Sequence, residues 1–196
     1  MGGIKEKIKK HLIKDNLIVL YINMNLEQPR KENIENDVIL KIDRSGKSIH
    51  DDNGVFTGEI FYEDQRSLTL DEIDTSKIKF VKFFKPDQTQ EINKILSRLN
   101  FLKEDENIHL DAKILKTLLE HEELIPETWK EEINGHTRYI AFDGTILYEN
   151  DSEGHFPKKI PCLFWNKKLN NGCWDFKSIE LEYFIPEEDL IFSAVL

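Results

Sequence analysis

The chain has 196 residues, 39% of them hydrophobic and 33% charged, with 37 acidic against 27 basic side chains and a net charge of −10. That much apolar material offsets chain entropy and excludes wholesale disorder, and the length suits one domain or two small ones. Residues 1–98 hold 17 acidic and 17 basic side chains, so residues 99–196, with 20 and 10, carry the whole excess. A field of that sign repels phosphate backbones, which disfavours direct nucleic-acid binding by the second half.

Met1-Gly2-Gly3-Ile4 leads into a lysine-rich stretch with no apolar run before a small-residue cleavage site, so no export signal is expected. Glu6 stands where N-myristoylation needs Ser or Thr. Ile4, Ile8 and Leu12 recur at helical spacing and predict a short amphipathic helix over 4–14. The β-branched and aromatic run Leu17 to Met24 predicts a buried strand, and 28–33 a polar loop. Neither this run nor 78–84 is long enough to cross a bilayer, so no membrane association is expected.

Residues 37–43 read as a strand closed by the turn Asp43-Arg44-Ser45-Gly46, and Asp52-Asn53-Gly54 is a type I′ hairpin signal. Further strands are expected over 55–62, 67–70 and 77–84, giving an antiparallel meander. Pro86 ends the last of them. Asp87 or Thr89 can cap a helix to about Leu102, with Ile92, Ile95, Leu96, Leu99 and Leu102 as its apolar stripe.

The polar break 103–107 is the expected boundary between an α+β N-terminal region, 1–105, and an acidic, strand-rich C-terminal region, 106–196. One continuous domain is the alternative. A second helix is predicted over 111–122, with Ile114, Leu115, Leu118 and Leu119 facing inward, and Pro126 sits where another can begin before Trp129. Strands then follow over 137–142, 145–148, 159–165, 172–177 and 179–184, punctuated by Asp143-Gly144, Glu153-Gly154 and Asn170-Asn171-Gly172. The expected fold class is α+β: an N-terminal antiparallel sheet with flanking helices, two central helices, and a small curled C-terminal β-sheet or barrel. The tail 191–196 should return to pair or pack.

Short catalytic motifs fail on inspection. Gly46-Lys47-Ser48 lacks the earlier glycine of a phosphate-binding loop, since position 41 is Lys41. Tyr139 to Thr145 lacks the first aspartate of the haloacid dehalogenase phosphatase motif, because position 141 is Ala141, so Asp143-Gly144 is read as a turn between strands. His121-Glu122 opens like a zincin helix but has Ile125 where the second histidine belongs. The remaining histidines are scattered. Acidic neighbours, as at His50 before Asp51-Asp52 and His109 near Asp111, are read as chance in so acidic a chain; His50-Asp51-Asp52 has the chemistry for a metal or general-base role, but beside Asn53-Gly54 it is read as an exposed turn.

No nucleophile elbow occurs, no motif calls for a metal, and no cofactor is expected. Cys162 and Cys173 fall on neighbouring strands, but without an export signal they are expected to be reduced, in a cytoplasmic protein. No Lys, Arg or His flanks Cys162 to favour a thiolate. Without an export signal the sequon Asn150-Asp151-Ser152 is not expected to be glycosylated.

The charge pattern and the missing motifs together predict a cytosolic, non-enzymatic interaction factor of inhibitor or immunity type. Its partner would be a basic protein such as a nuclease or toxin. The expected contact residues are two acidic turns, Glu149, Asp151 and Glu153 in one and Glu187, Glu188 and Asp189 in the other. Trp129, Trp165 and Trp174 sit in the same half as core or as anchors beside those charges. A metal-dependent hydrolase is the first alternative. It requires His50, Asp51 or Asp143 to converge with another His or carboxylate in one pocket. A structural or assembly subunit is the second.

Overall fold

The computed structural model describes residues 38–45, 58–83, 94–148, 156–169, 172–181 and 188–196, all within the compact unit Asp37–Leu196. The expected helix at 4–14, the strand at 17–24, the Asn53-Gly54 hairpin and the segments Gly46-Lys47-Ser48 and His50-Asp51-Asp52 lie outside the described residues. So does the sequon.

Eleven strands occur among the described residues: β1 (Ile39–Lys41), β2 (Glu59–Glu63), β3 (Glu72–Asp74), β4 (Lys79–Lys82), β5 (Glu132–Ile133), β6 (His136–Thr137), β7 (Tyr139–Ala141), β8 (Thr145–Tyr148), β9 (Lys158–Asn166), β10 (Cys173–Glu180) and β11 (Ile191–Val195). Two α-helices accompany them, α1 (Lys94–Glu104) and α2 (Ala112–Glu120). The fold is α+β, and its main feature is a curled seven-stranded sheet in the order β2-β8-β9-β7-β11-β4, with β10 on the other edge of β9. β1 pairs with β3 and β5 with β6 in two small separate sheets. No helix among the described residues is long and apolar enough to cross a membrane.

The layout differs from a meander followed by a second sheet. β2 pairs with β8 and β4 with β11, so strands from before residue 105 form two edges of the sheet that the later strands build. Ser67–Thr69, expected as strand, is a 3₁₀ turn, and the strand lies just after it at β3. The expected strands at 172–177 and 179–184 merge into β10, which pairs without a break along β9 from Cys173↔Asn166 to Glu180↔Lys159. The C-terminal tail does return: β11 runs parallel to β7 and antiparallel to β4.

Asp143-Gly144 does not reverse the chain. β7 and β8 both run antiparallel to β9. Six positions separate Ala141 from Leu147, while three separate their partners Cys162 and Lys159. Residues 142–144 therefore act as a bulge in one long strand, held by Phe142 N–H donating to the Pro161 carbonyl at 2.9 Å. An odd number of extra residues switches the side-chain alternation. Ile140, Phe142 and Leu147 consequently share one face of the sheet with α2, β1, β3 and Trp129. Ala141 and Ile146 share the other with Ile160, Cys162, Leu102 of α1 and Phe83.

The second helix follows its periodicity. Asp111 caps α2, accepting from the N–H groups of Lys113 and Ile114, and Ile114, Leu115 and Leu118 are buried beneath it. In α1, Leu102 is fully buried but Leu96 is half exposed, and the inward position of the middle turn is taken by Arg98.

Candidate functional site

The bulge buries Asp143 where β11, paired with β7, and β2, paired with β8, part from one another along the edge of this strand opposite β9. Two cations meet it there. Arg98, from α1, ion-pairs with Asp143 Oδ2 and also donates to Ser193 Oγ of β11 at 2.6 Å. His109 Nδ1 lies 3.0 Å from Asp143 Oδ1, and its Nε2 lies 3.1 Å from Asp105 Oδ2. The segment carrying His109 is fixed by the backbone: Ile108 and Leu110 bond to Leu196 and Ala194, and Gly144 N–H donates to the Leu110 carbonyl. The guanidinium of Arg98 stacks on Phe83 and Phe101, 4.1 and 4.7 Å from their ring centres.

An ionised carboxylate only accepts, so an imidazole held between two of them must donate from both nitrogens. His109 is therefore an imidazolium, and with Arg98, Asp143 and Asp105 it forms a four-membered cluster of zero net charge. Burial alone would lower the His109 pKa. The charge and hydrogen bond of Asp143, aided by Asp105 and opposed by Arg98, outweigh burial and raise it. Burial alone would raise Asp143, but Arg98 and His109 pull its carboxyl down to about 2. Asp105 is likewise held low against burial, by hydrogen bonds from Asn107 and His109.

A His–Asp convergence of the kind an acid–base enzyme requires is thus present at Asp143, one of the residues named for it in the sequence, with His109 as the histidine. His109 pairs with Asp143 and Asp105, whereas Asp111 instead bonds Arg44 and Ser67. The cluster is nonetheless closed at its centre, with His109 and Asp143 wholly buried and Arg98 2% exposed, while Asp105 at its outer end is 13% exposed. Ser193 bonds Asp143 and Arg98 at their far side from His109, so no serine–histidine pair is formed. Among the described residues no group of three or more His, Cys, Asp or Glu side chains could hold a metal ion. Cys162 is buried and its thiol is pushed up in pKa, mainly by burial.

The accessible concavities lie elsewhere. One groove of about 520 Å³ runs between Val38, the Thr75-Ser76 turn, the segment 122–127, Lys130, Trp165 and Trp174. A second, of about 370 Å³, shares Thr75, Ser76 and Pro126 with it and is walled by Phe80, Trp129 and Arg138. All three tryptophans of the chain line these two grooves. Trp165 and Trp174 meet edge to face at 5.4 Å, and Trp129 meets Phe80 in the same manner at 5.0 Å.

The rim is acidic. Glu122, Glu123, Glu127 and Glu131 are exposed on the two 3₁₀ turns after α2 and just beyond them, while among the described residues Lys130 is the single cation lining the larger groove. The aromatic anchors and carboxylates are therefore brought together, though at different carboxylates from the expected ones. Glu149, Asp151, Glu153 and Glu187 lie outside the described residues, as does the side chain of Glu188. Asp189 is fully exposed, 3.6 Å from Lys82 Nζ. The signal in the sequence is the spacing of Glu122, Glu123 and Glu127 around Pro126, of which 121–125 reads by itself as a failed zinc motif.

No family model matches the chain, and neither a curated protein nor a solved structure is significantly similar to it.

Proposed function

We propose that this protein is a cytoplasmic, non-enzymatic interaction factor of inhibitor or immunity type, and that its partner is a basic protein such as a nuclease or toxin. The observation that carries the reading is the tryptophan-lined groove with Glu122, Glu123 and Glu127 on its rim. Buried aromatic anchors ringed by charge are the usual make-up of an interaction hot spot, and one-signed charge speeds encounter with an opposite partner. The excess negative charge of residues 99–196 acts in the same direction. In this reading the turns at Glu149, Asp151 and Glu153 and at Glu187, Glu188 and Asp189 steer the partner, and the groove holds it.

The test is capture of the partner from the source cell, followed by association kinetics at graded salt. A basic partner should associate more slowly as salt rises, and more slowly again with E122K/E123K/E127K and with charge reversal at either acidic turn. Association rates untouched by salt and by all three triple variants would overturn the proposal.

A hydrolase is the second reading, favoured by the His109–Asp143–Asp105 convergence. It requires the closed centre of the cluster to open to solvent. Protection of the His109 backbone amide against hydrogen exchange up to global unfolding would eliminate it.

A further inference from the structure

The larger groove holds a cation of the protein's own. Lys130 Nζ lies 3.9 Å from the centre of the Trp165 ring and 2.7 Å from Glu127 Oε1. An ammonium over an indole face, capped by a carboxylate, is the arrangement by which proteins receive lysine and arginine side chains. The ring is set for this by its neighbours. Trp174 abuts it edge-on, and Gly172, at φ +98°, leaves the space the ring fills, since a Cβ there would run into the Trp165 ring.

Lys130 is held weakly. Its side chain is 26% exposed and that of Glu127 83% exposed, so solvent reaches and screens the pair. Once Lys130 swings out, three carboxylates and an open indole face remain around a groove with room for an extended side chain.

We infer that Lys130 occupies, from within, the subsite for a lysine or arginine side chain of the basic partner, and that binding exchanges one cation for the other. The inference rests on the proposed function and specifies its chemistry: Trp165 supplies the face, Glu127 the counter-charge, and Lys130 competes.

A blocked tetra-arginine peptide titrated calorimetrically at low salt tests it. K130Q should bind the peptide about fivefold to tenfold more tightly than the native chain, which corresponds to removing a competing cation–π contact and an exposed ion pair. W165F or E127Q, added to K130Q, should abolish the gain. K167Q is the control, because Lys167 is a nearby exposed cation paired with Glu132 at 2.8 Å, away from the larger groove. An equal gain in K130Q and K167Q would mean a diffuse field effect and would overturn the subsite, as would no gain in K130Q. The two readings fail separately. A gain specific to K130Q, with no basic partner captured from cells, removes the partner class and keeps the subsite. A captured basic partner, with K130Q no tighter than the native chain, does the reverse.

Discussion

Arg98 of α1 and Asp143 of the β7–β8 bulge form an ion pair from which solvent is wholly excluded, 45 residues apart in sequence. The pair ties the helix to the point where the central strand is interrupted. A buried pair of this kind contributes little net stability beside an apolar substitute of the same shape, yet breaking it by removing one partner is costly.

Asp143→Asn should therefore destabilise the fold by about 3–5 kcal/mol, because Arg98 and His109 are left facing a neutral amide. Arg98→Met should cost a similar amount by stranding Asp143. The double variant should lose clearly less than the sum of the two, because each single change already removes the shared interaction. Urea unfolding of the four proteins measures this. Additive losses would mean that the pair is not energetically coupled.

Stability should respond to pH on both sides of neutrality. His109 has a raised pKa in the folded state, so its contribution is complete below its unfolded value of 6.5 and is lost as pH rises through the higher folded value. Asp143 is depressed from 3.8 to about 2, so its contribution is complete above 3.8 and is lost as pH falls through about 2. Asp105 and Asp64, both lowered, add to the acid loss. Maximal stability should lie between these limits. H109Q should flatten the alkaline side and, because His109 also helps hold Asp143 and Asp105 low, should soften the acid loss as well. An alkaline slope that persists in H109Q would assign it to another group.

Gly144 is confined by backbone on both sides. Its N–H donates to the Leu110 carbonyl and its carbonyl accepts from the Asp64 N–H. A Cβ at this position would run into the carbonyl groups of His109 and Leu110. Gly144→Ala should cost on the order of 1–3 kcal/mol, since main chain, unlike a flexible side chain, cannot step aside. Thermal unfolding reads the loss, and an unchanged midpoint would contradict the close approach.

The two thiols should differ. Cys162 is wholly buried with its pKa pushed up, mainly by burial, while Cys173 is half-buried on β10. They lie out of register, Cys162 opposite Lys177 and Cys173 opposite Asn166, so they do not bridge. Under native conditions a thiol reagent should modify one cysteine among these two, and C173S should abolish that reaction. Two equivalents reacting at equal rates would refute the burial of Cys162.

Residues whose partners are close in the chain were legible in advance. The apolar stripe of α2 stands as expected, and Asp111, at the expected start of the helix, is its cap. In α1 the stripe was read too broadly. Leu96 turned out exposed, and the clue passed over was Arg98, a charged residue in phase with Ile95 and Leu102. An arginine on the inward face of a helix signals a buried counter-charge. Nothing local names that counter-charge as Asp143. Likewise Asp143-Gly144 has the composition of a hairpin turn, and only pairing of both flanks with β9 makes it a bulge.

The sequence by itself determined the α+β class, the two helices, most strand positions and the location of the excess charge. All of these follow from periodicity, capping and composition within a few residues. Tertiary structure decided which strands pair, how β2 and β4 join the edges of a sheet built by later strands, and where ionisable groups meet. Those outcomes depend on contacts between distant residues, such as Arg98 with Ser193, 95 positions apart. A charged side chain enters the core only where such partners surround it, so neither the buried cluster nor the tryptophan groove existed before the chain closed around it.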